Sequence, residues 1–523
     1  MLLKNIFGKW SRTKNEKQNQ IIKSAKHQTT LTGDLEKDRQ VLFHGLGGSV
    51  DIVQRKILIG KKQAFLIYIE GIVDIDLINK EILSRLQRLQ EFPAQTDNPL
   101  EYIGKKVLSS GRRFMSNTLV ADLLVEILLG RTVILVEGIK EGLILETRGG
   151  TRRSIEEPPT ERTVRGSREG FTEDIGVNLA SIRRRIKSPR LAIETLHIGE
   201  RSFTKVAIVY ISDIADPKIV QEIRHRISKI EVDGILASGY IERFIEDHPW
   251  SLFPQIYGTE RPDKVVANLL EGRIAIVVDG TPFVLVAPAV FLQFLQGSED
   301  YYERAIVGSV ARLVRYLALM ITTTSTSVYI ALITFHHSLL PTDLLLAVAE
   351  NREQLPFTPL AEALFMEVVI EILREAGLRL PTSVGQTLGV VGGIVIGQAV
   401  LAARLVSPLI VVTVSLAAVS SFVFPNYSMA LAVRLIKFPM MILAASFGAV
   451  GIAVGWLLVT IHLVSLESLG VPYMGPLSPM RYKDLGDTFV VSHIWKHDKR
   501  PASIPHIDKR RIKGSPREPA NEE

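Results

Sequence analysis

Residues 316–335 read YLALMITTTSTSVYIALITF, a run of 20 positions without a charged side chain. A helix of about 20 apolar residues has the length needed to cross the hydrocarbon core of a bilayer. Arg312 and Arg315 precede the run, and the positive-inside rule places such residues on the cytoplasmic side. The stretch therefore predicts a transmembrane helix whose N-terminal end faces the cytoplasm.

Six consecutive hydroxyl residues, at positions 322–327, occupy the centre of this run. Hydroxyls inside a bilayer can bond to their own helix, bond to a neighbouring helix or line a water-filled pore. The sequence favours helix packing and pore lining equally. Thr322 and Thr326 are therefore candidate pore or gating residues.

Three further apolar runs follow in this half of the chain, at residues 383–403, 408–424 and 439–465. In the first of them glycine recurs at every fourth position, at Gly385, Gly389, Gly393 and Gly397. Glycines at that spacing form a smooth stripe on a helix, where a second backbone can approach closely. These glycines are predicted to pack helices together, and residues 313–470 are predicted to form an all-α polytopic membrane domain.

The C-terminal residues 471–523 are polar and basic, which predicts a cytoplasmic tail. With the N-terminal region on the same side, the number of spans has to be even, and four satisfies that condition. Arg434 and Lys437 then fall between the third and fourth spans and face outward, against the positive-inside rule. A fifth span would turn them inward but would place the more basic tail outside, so we expect four.

An acidic stretch, EALFMEVVIEILREAGLRLP, lies between the first two apolar runs at residues 362–381. At 100° per residue, a helix over residues 360–376 is amphipathic, with most of its charges on one face. A carboxylate in contact with lipid is too costly, so two interpretations remain. The helix lies at the membrane surface with its acids in water, or its acidic face forms rings around a pore in an oligomer. The candidate pore or gating residues are Glu362, Glu367, Glu371, Arg374 and Glu375.

The first half of the chain contains an internal duplication. IYIEGIVDIDLINKEILSRL begins at Ile67, and VYISDIADPKIVQEIRHRIS begins 142 residues later at Val209. LLGRTVILVEG and LEGRIAIVVDG, which begin at Leu128 and Leu270, repeat the same offset. The patterns predict an α+β region of two similar subdomains, at residues 39–150 and 191–288, each with strands, helices and a β-hairpin.

Equivalent aspartates, Asp74 and Asp216, follow the first matched strand of each copy. Both are predicted to cap helices, and a ligand carboxylate is the less favoured role. The remaining segments are predicted to be a disordered polar tail (1–38), a charged linker with one helix (151–190) and an interfacial helix (289–312). The linker carries Arg183, Arg184 and Arg185. An ion-paired helix face is favoured over phosphate binding there, so no nucleic-acid partner is expected.

The chain has 523 residues, a formal net charge of +7 and no cysteine. That composition excludes a disulfide framework, thiolate zinc sites and a cysteine nucleophile. The histidines are scattered, and the adjacent pair His336–His337 does not have the spacing of metal ligands. We therefore expect that the protein binds no metal or cofactor and is not an enzyme. The N-terminus has no apolar signal segment, which favours a cytoplasmic location for the α+β region.

Four ordered blocks carry a family resemblance. They are EEPPTERTVRGSREGFTEDIGVNLASIRRRIKSPRL from Glu156, DGTPFVLVAPAVFLQFLQGSEDYYERA from Asp279, YIALITFHHSLLPTDLLLAVAENREQLPFTPLAEALFMEVVIEILREAGLRLP from Tyr329, and IGQAVLAARLVSP from Ile396. Together they resemble the A subunit of the GerA-type spore germination receptors, over residues 40–490. The chain departs from the family at Ser325-Thr326, where Leu-Pro is common, and at FHHS (335–338), where many members have Phe-His-Pro-Glu.

The resemblance implies a nutrient sensor in the inner membrane of spores. It implies a permease-like B subunit that binds nutrients and a lipoprotein C subunit as partners, together with membrane lipid. It further implies a homo-oligomer, expected to be a pentamer, that acts as a nutrient-gated ion channel. A scaffold that transmits the state of the B subunit without conducting ions is the alternative. A secondary transporter is disfavoured because the membrane half has no inverted repeat.

Overall fold

The computed structural model describes residues 29–92, 99–108, 114–149, 157–379 and 393–511. The chain consists of an α+β half followed by a helical half. Most of the predicted polar tail lies outside the described residues. The first helix begins at Leu35, within the segment predicted to be disordered, because Asp34 caps it and Leu35 and Leu42 are buried.

The first subdomain is built around an antiparallel five-stranded sheet. Its elements are α1 (Leu35–Gly45), β1 (Ile52–Ile59), β2 (Lys62–Ile69), α2 (75–87), α3 (99–107), β3 (Phe114–Asn117), α4 (Val120–Leu128), β4 (Thr132–Val136) and β5 (Gly142–Leu145). The strand order is β1-β2-β4-β5-β3. Side chains alternate along β2, so that Phe65 and Ile67 pack with α1 and α4, whereas Leu66 and Tyr68 pack with α2. Helices therefore cover both faces of the sheet.

The second subdomain repeats this architecture. Its elements are α5 (Ile175–Arg185), β6 (Leu191–Ile198), β7 (Thr204–Ile211), α6 (Pro217–Ser228), α7 (Ser238–Ile245), β8 (Tyr257–Thr259), α8 (Pro262–Leu270), β9 (Ile274–Val278) and β10 (Val284–Ala287). The strand order β6-β7-β9-β10-β8 matches that of the first sheet. Asp74 and Asp216 accept hydrogen bonds from backbone N–H groups at the starts of α2 and α6, which confirms the capping role.

Helix α5 is the one helix predicted within residues 151–190, but it belongs to the second subdomain rather than to a linker. It is the counterpart of α1, because Asp34 and Asp174 each cap their helix with bonds from two backbone N–H groups. Ile175, Leu179 and Ile182 lie in the core of the second subdomain. The repeat therefore begins before residue 191, and the apolar face of α5 was obscured in the sequence by the charges around it.

Arg183 on α5 joins the two subdomains. Its guanidinium is fully buried and donates two hydrogen bonds of 2.8 Å to the carboxylate of Asp51. Arg185 pairs with Glu169 on the surface. Both contacts agree with an ion-paired helix rather than a phosphate-binding one.

Residues 289–312 do not form the predicted interfacial helix. They contain a 3₁₀ turn (Phe291–Leu295), a short helix α9 (Glu299–Tyr302) and the start of α10. Phe291 and Phe294 are buried, with ring centroids 6.1 and 6.2 Å from that of Tyr473. These apolar side chains pack inside the protein, so they are not available to lie on a membrane surface.

The helical half contains six helices within the described residues. They are α10 (Ala305–Thr334), α11 (Thr342–Arg352), α12 (Pro359–Arg379), α13 (Gly393–Ala402), α14 (Pro408–Ser420) and α15 (Tyr427–Ser465). By length and composition, α10 and α15 are able to cross a membrane, whereas α13 and α14 are apolar but shorter. Helix α10 begins 11 residues before the predicted span, because Arg312 and Arg315 are paired within the protein instead of ending the helix.

Helix α15 corrects the prediction of a single span at 439–465. It begins at Tyr427, and Gly448 breaks it with a φ of 61° and a ψ of −137°. Beyond the break the chain folds back. A Cβ atom on Gly451 would collide with the carbonyl oxygen of Leu443, and one on Gly455 would collide with the sulfur of Met440. Residues 427–447 (the first arm) and 449–465 (the second arm) thus form a tight antiparallel hairpin.

The predicted glycine stripe falls partly outside the described residues, which exclude Gly385 and Gly389. At Gly393 and Gly397 an added Cβ would meet nothing within 4 Å. This part of the stripe is therefore open within one chain, and its role in helix packing stays a prediction.

The C-terminal segment packs on the second subdomain. A β-bridge joins Ala215 to His506, and Arg500 Nε donates 2.8 Å to the carbonyl of Leu270. The tail therefore lies against the α+β region, and the cytoplasmic location of both stays a prediction.

We expect Gly451→Ala to destabilise the protein by about 1–3 kcal/mol, because the new methyl group has to push the two arms apart. Gly377→Ala on α12 is the matched control, since its Cβ would meet nothing within 4 Å. The control should be neutral or stabilising by about 1 kcal/mol. Thermal unfolding of the purified proteins in detergent measures both, and equal stabilities would contradict the hairpin contact.

Candidate functional site: buried charge clusters of the helical half

The acidic face of α12 lies against α10, α14 and the first arm of α15. Glu362 and Glu367 are fully buried, with an exposed fraction of 0%. Within one chain these two carboxylates are neither in water nor on an open surface, so neither interpretation of the acidic helix describes them. They face side chains of neighbouring helices instead.

Glu367 forms an ion pair with Lys437 of α15, whose side chain is 2% exposed. Thr326 of α10 donates a 3.1 Å hydrogen bond to the same carboxylate. Breaking a buried ion pair leaves an uncompensated charge, at a cost of about 3–5 kcal/mol. The pair therefore fixes α10, α12 and α15 in one register.

Glu362 occupies a second buried position, near the end of α10 farthest from the α+β half. It accepts a 3.2 Å bond from Arg352 of α11 and a 3.0 Å bond from the backbone N–H of Ser407. The Ser407 hydroxyl lies 2.8 Å from the hydroxyl of Tyr329 on α10. This cluster joins α10, α11 and α12 to the start of α14.

The remaining charges on α12 are closer to the surface. Glu371, whose side chain is 38% exposed, accepts 3.0 Å from Arg374 and lies 3.9 Å from Arg434 of α15. Glu375 pairs with Arg379 in an exposed i,i+4 contact. The acidic face thus divides into two buried carboxylates and two accessible ones.

The candidate hydroxyls Thr322 and Thr326, and some of their neighbours in the run, contact protein atoms. Thr322 is 1% exposed and donates a weak 3.5 Å bond to the carbonyl of Ala417 on α14, and Thr323 bonds back to the carbonyl of Leu319. Ser325 and Ser327 have buried hydroxyls without a partner among the described residues. Within one chain, Thr322 and Thr323 bond to backbone carbonyls of helices, and the choice between packing and pore lining stays a prediction.

Arg434 and Lys437 belong to the candidate site, but the sequence analysis did not include them because it placed them in an outward-facing loop. They lie inside α15, three residues apart on one side. The carboxylates that they meet, Glu371 and Glu367, are four residues apart on α12. Two basic residues in one apolar segment thus match the spacing of two acidic residues in another. That pattern in the sequence could have identified Arg434 and Lys437 as partners of the glutamates.

A second charged group, the junction cluster, joins the α+β half to α10. Asp300 is 1% exposed and accepts two bonds from Arg315, at 2.8 and 2.7 Å. Arg312 contacts the same carboxylate at 3.4 Å and also Asp487 of the C-terminal segment. Tyr301 donates 2.7 Å to Asp487, and burial raises the pKa of this phenol, so it stays a neutral donor.

The two sets of contacts are connected by a single rigid element. Arg315 and Thr326 both lie on α10, with the junction cluster at one end and the Glu367 pair near its middle. The junction cluster therefore ties the α+β half to α10, and the bonds of Glu367 tie α10 to α12 and α15.

We expect Glu367→Gln or Lys437→Met alone to cost about 3–5 kcal/mol, because each leaves the other charge buried without a partner. The double variant should recover about 2 kcal/mol or more relative to the sum of the single costs. Chemical unfolding of the four proteins in detergent measures this coupling. Strictly additive costs would show that the two side chains do not interact.

Comparison with known proteins places the chain in a family. Residues 40–503 match the family model described as "Bacillus/Clostridium GerA spore germination protein". The chain is 43% identical over 89% of its length to "Spore germination protein KA" of Bacillus subtilis (strain 168), of which it covers 85%. It is also 42% identical over 94% of its length to "Uncharacterized membrane protein YfkQ" of the same organism, of which it covers 95%.

The chain is also similar to a solved structure. The crystal structure of the N-terminal domain of the A subunit of the Bacillus megaterium spore germinant receptor GerK3 aligns with a TM-score of 0.41 and 39% identity. The alignment covers 51% of this chain and 100% of the crystallised GerK3 domain. The family match and the extent of the relatives show that this chain belongs to the GerA family of spore germination proteins.

Proposed function

We propose that this chain is the A subunit of a germinant receptor and forms a homo-oligomeric, nutrient-gated ion channel in the spore inner membrane. A permease-like B subunit and a lipoprotein C subunit are its partners, and a pentamer is the expected oligomer. Opening of the channel releases ions and starts germination. The germination names of the relatives support the process, and the charge clusters support the mechanism.

The directions of the helices support a polytopic arrangement. Contacts of Tyr329 with Ser407 and of Thr322 with Ala417 show that α10 and α14 are antiparallel. Contacts of Glu367 with Lys437 and Glu371 with Arg434 show the same for α12 and the first arm. The first arm spans about 30 Å, which equals the thickness of the hydrocarbon core.

One observation carries the channel proposal: a line of charged and hydroxyl side chains runs along α12 inside an otherwise apolar bundle. Ionisable groups within a membrane are expensive, and they mark ion pathways or the devices that control them. The side chains of Glu371 and Glu375 are 38% and 58% exposed, so in an oligomer they are the positions that form rings. Rings of carboxylates favour cations.

The buried carboxylates have a different role in the proposed channel. Glu367 is held by Lys437 and Thr326 and is inaccessible to ions, so it serves as a latch that keeps α12 closed against α10 and α15. The junction cluster connects this latch to the α+β half. Nutrient binding by the partner subunit would open the channel by shifting α10 relative to α12.

A scaffold is the second candidate, and a specific observation favours it. Glu362 and Glu367 both have charged partners within a single chain, so no symmetric assembly is required to neutralise them. Crosslinking that yields one A subunit per receptor would establish the scaffold and exclude a symmetric channel.

We expect Glu371→Gln to lower the cation-to-anion permeability ratio several-fold while leaving the protein folded, because the carboxylate is 38% exposed. Glu350→Gln on α11 removes an exposed acid away from the α12 face and is the control. Ion flux from liposomes containing the full-length protein measures the ratio. No flux from folded, oligomeric wild-type protein would overturn the channel.

We also expect Lys437→Met to raise ion release from spores in the absence of nutrient, since it removes the latch. The charge-exchanged variant Glu367→Lys with Lys437→Glu restores an ion pair and should restore the low basal rate. Ion release is compared at equal protein levels. A basal rate that stays low in Lys437→Met would contradict the latch.

A further inference from the structure

Two arginines share one carboxylate where the helical half borders the second subdomain. Arg374 and Arg434 have side chains that are only 9% and 6% exposed, and both approach Glu371. Glu367 is already neutralised by Lys437. This group, the arginine pair, therefore carries one positive charge in excess among the described residues around it.

The hydrogen-bonding capacity of the arginine pair is only partly used within the described part of the chain. Arg374 donates 3.0 Å to Glu371 and 3.0 Å to the hydroxyl of Ser421, yet its Nε has no partner among the described residues. The buried Nε of Arg434 has none either, and its contact with Glu371 is long, at 3.9 Å. Buried donors without an acceptor are costly, so an acceptor from outside the chain is favoured.

Both guanidinium groups lie at the level of the connection between α14 and α15. Arg374 Cζ lies 5.0 Å from the ring centre of Phe422. Arg434 Cζ lies 5.8 Å from the ring centre of Tyr427, which precedes it by two turns on α15. Next to Tyr427, Asn426 donates 3.3 Å to the carbonyl of Gly258 in the second subdomain. The charges thus extend toward the boundary between apolar helices and polar protein, as snorkelling side chains do.

The surface around the arginine pair is apolar and aromatic. Phe422 is 71% exposed, Tyr427 52% and Val423 37%. Exposed aromatic side chains at such a boundary are typical of the headgroup region of a membrane. A phosphate at this level would face two guanidiniums while its acyl chains cover these side chains.

We propose that Arg374 and Arg434 form a binding site for the phosphate of an anionic phospholipid on the side of the membrane that faces the α+β half. The proposal rests on the membrane insertion in the proposed function, but not on ion conduction. A phosphate supplies several acceptor oxygens to two planar guanidiniums, which suits arginine better than lysine. The lipid's negative charge neutralises the excess cation next to the α12–α15 contact.

The test is native mass spectrometry of the full-length protein in detergent, with phosphatidylglycerol or phosphatidylcholine added. We expect preferential retention of phosphatidylglycerol, weakened roughly tenfold or more by Arg434→Gln. Arg379→Gln is the matched control, because it removes an exposed arginine from the same region of α12. It should retain the lipid as the wild type does, and a third sample receives inorganic phosphate alone.

The lipid site makes two requirements: a preference for phosphatidylglycerol, and a loss of retention in Arg434→Gln. Equal retention by Arg434→Gln and the wild type, or no preference for phosphatidylglycerol, would overturn the site. Inorganic phosphate that binds alone and displaces the lipid would assign the site to a free anion instead. Lipid retention without ion flux counts against the channel alone. Flotation of the wild-type protein with lipid vesicles measures membrane insertion. Failure to float would overturn the insertion on which both the channel and the lipid site rest.

Discussion

A charge buried among apolar helices requires a partner, and the Glu367–Lys437 pair satisfies that requirement between α12 and α15. Removing an ion from water costs several kcal/mol, and only a close partner with good geometry offsets it. The arrangement of α12 follows from this constraint. With its acids turned toward α10 and α15, its apolar side chains Val368 and Ile372 are left exposed on the outside. Those side chains form an apolar surface on the outer side of α12.

The same constraint acts at the junction with the α+β half. Asp300 balances Arg315 and Arg312 at the start of α10, where the sequence alone suggested charges that flank a span. Because α10 is a continuous helix from Ala305 to Thr334, the junction cluster and the Thr326–Glu367 bond belong to one rigid body. The α+β half and the charge pair are therefore joined through one helix, which is the connection that the proposed gating mechanism uses.

The sequence predicted local features well and long-range partners poorly. The duplicated α+β architecture follows from strand alternation, capping aspartates and a hairpin turn, which are all encoded within a few residues. The role of Lys437 is not, because its partner lies 70 positions away on another helix. A span identified as an uncharged apolar run ends where a charged residue occurs. Arg434 and Lys437 therefore appeared to be loop residues. The apolar face of α5 was missed because charged residues surround it.

The C-terminal tail packs on the second subdomain, although the helical half contains two antiparallel segments beyond the four predicted spans. Two segments were left out: α12, which was taken as interfacial or pore-facing, and the second arm of α15, which is separated from the first at Gly448. Each additional antiparallel segment reverses the direction of the chain, so two omissions leave the final direction unchanged. The tail still returns to the second subdomain, where His506 bridges to Ala215. Arg434 and Lys437 then no longer conflict with the distribution of positive charge, because they are paired inside the bundle rather than exposed in a loop.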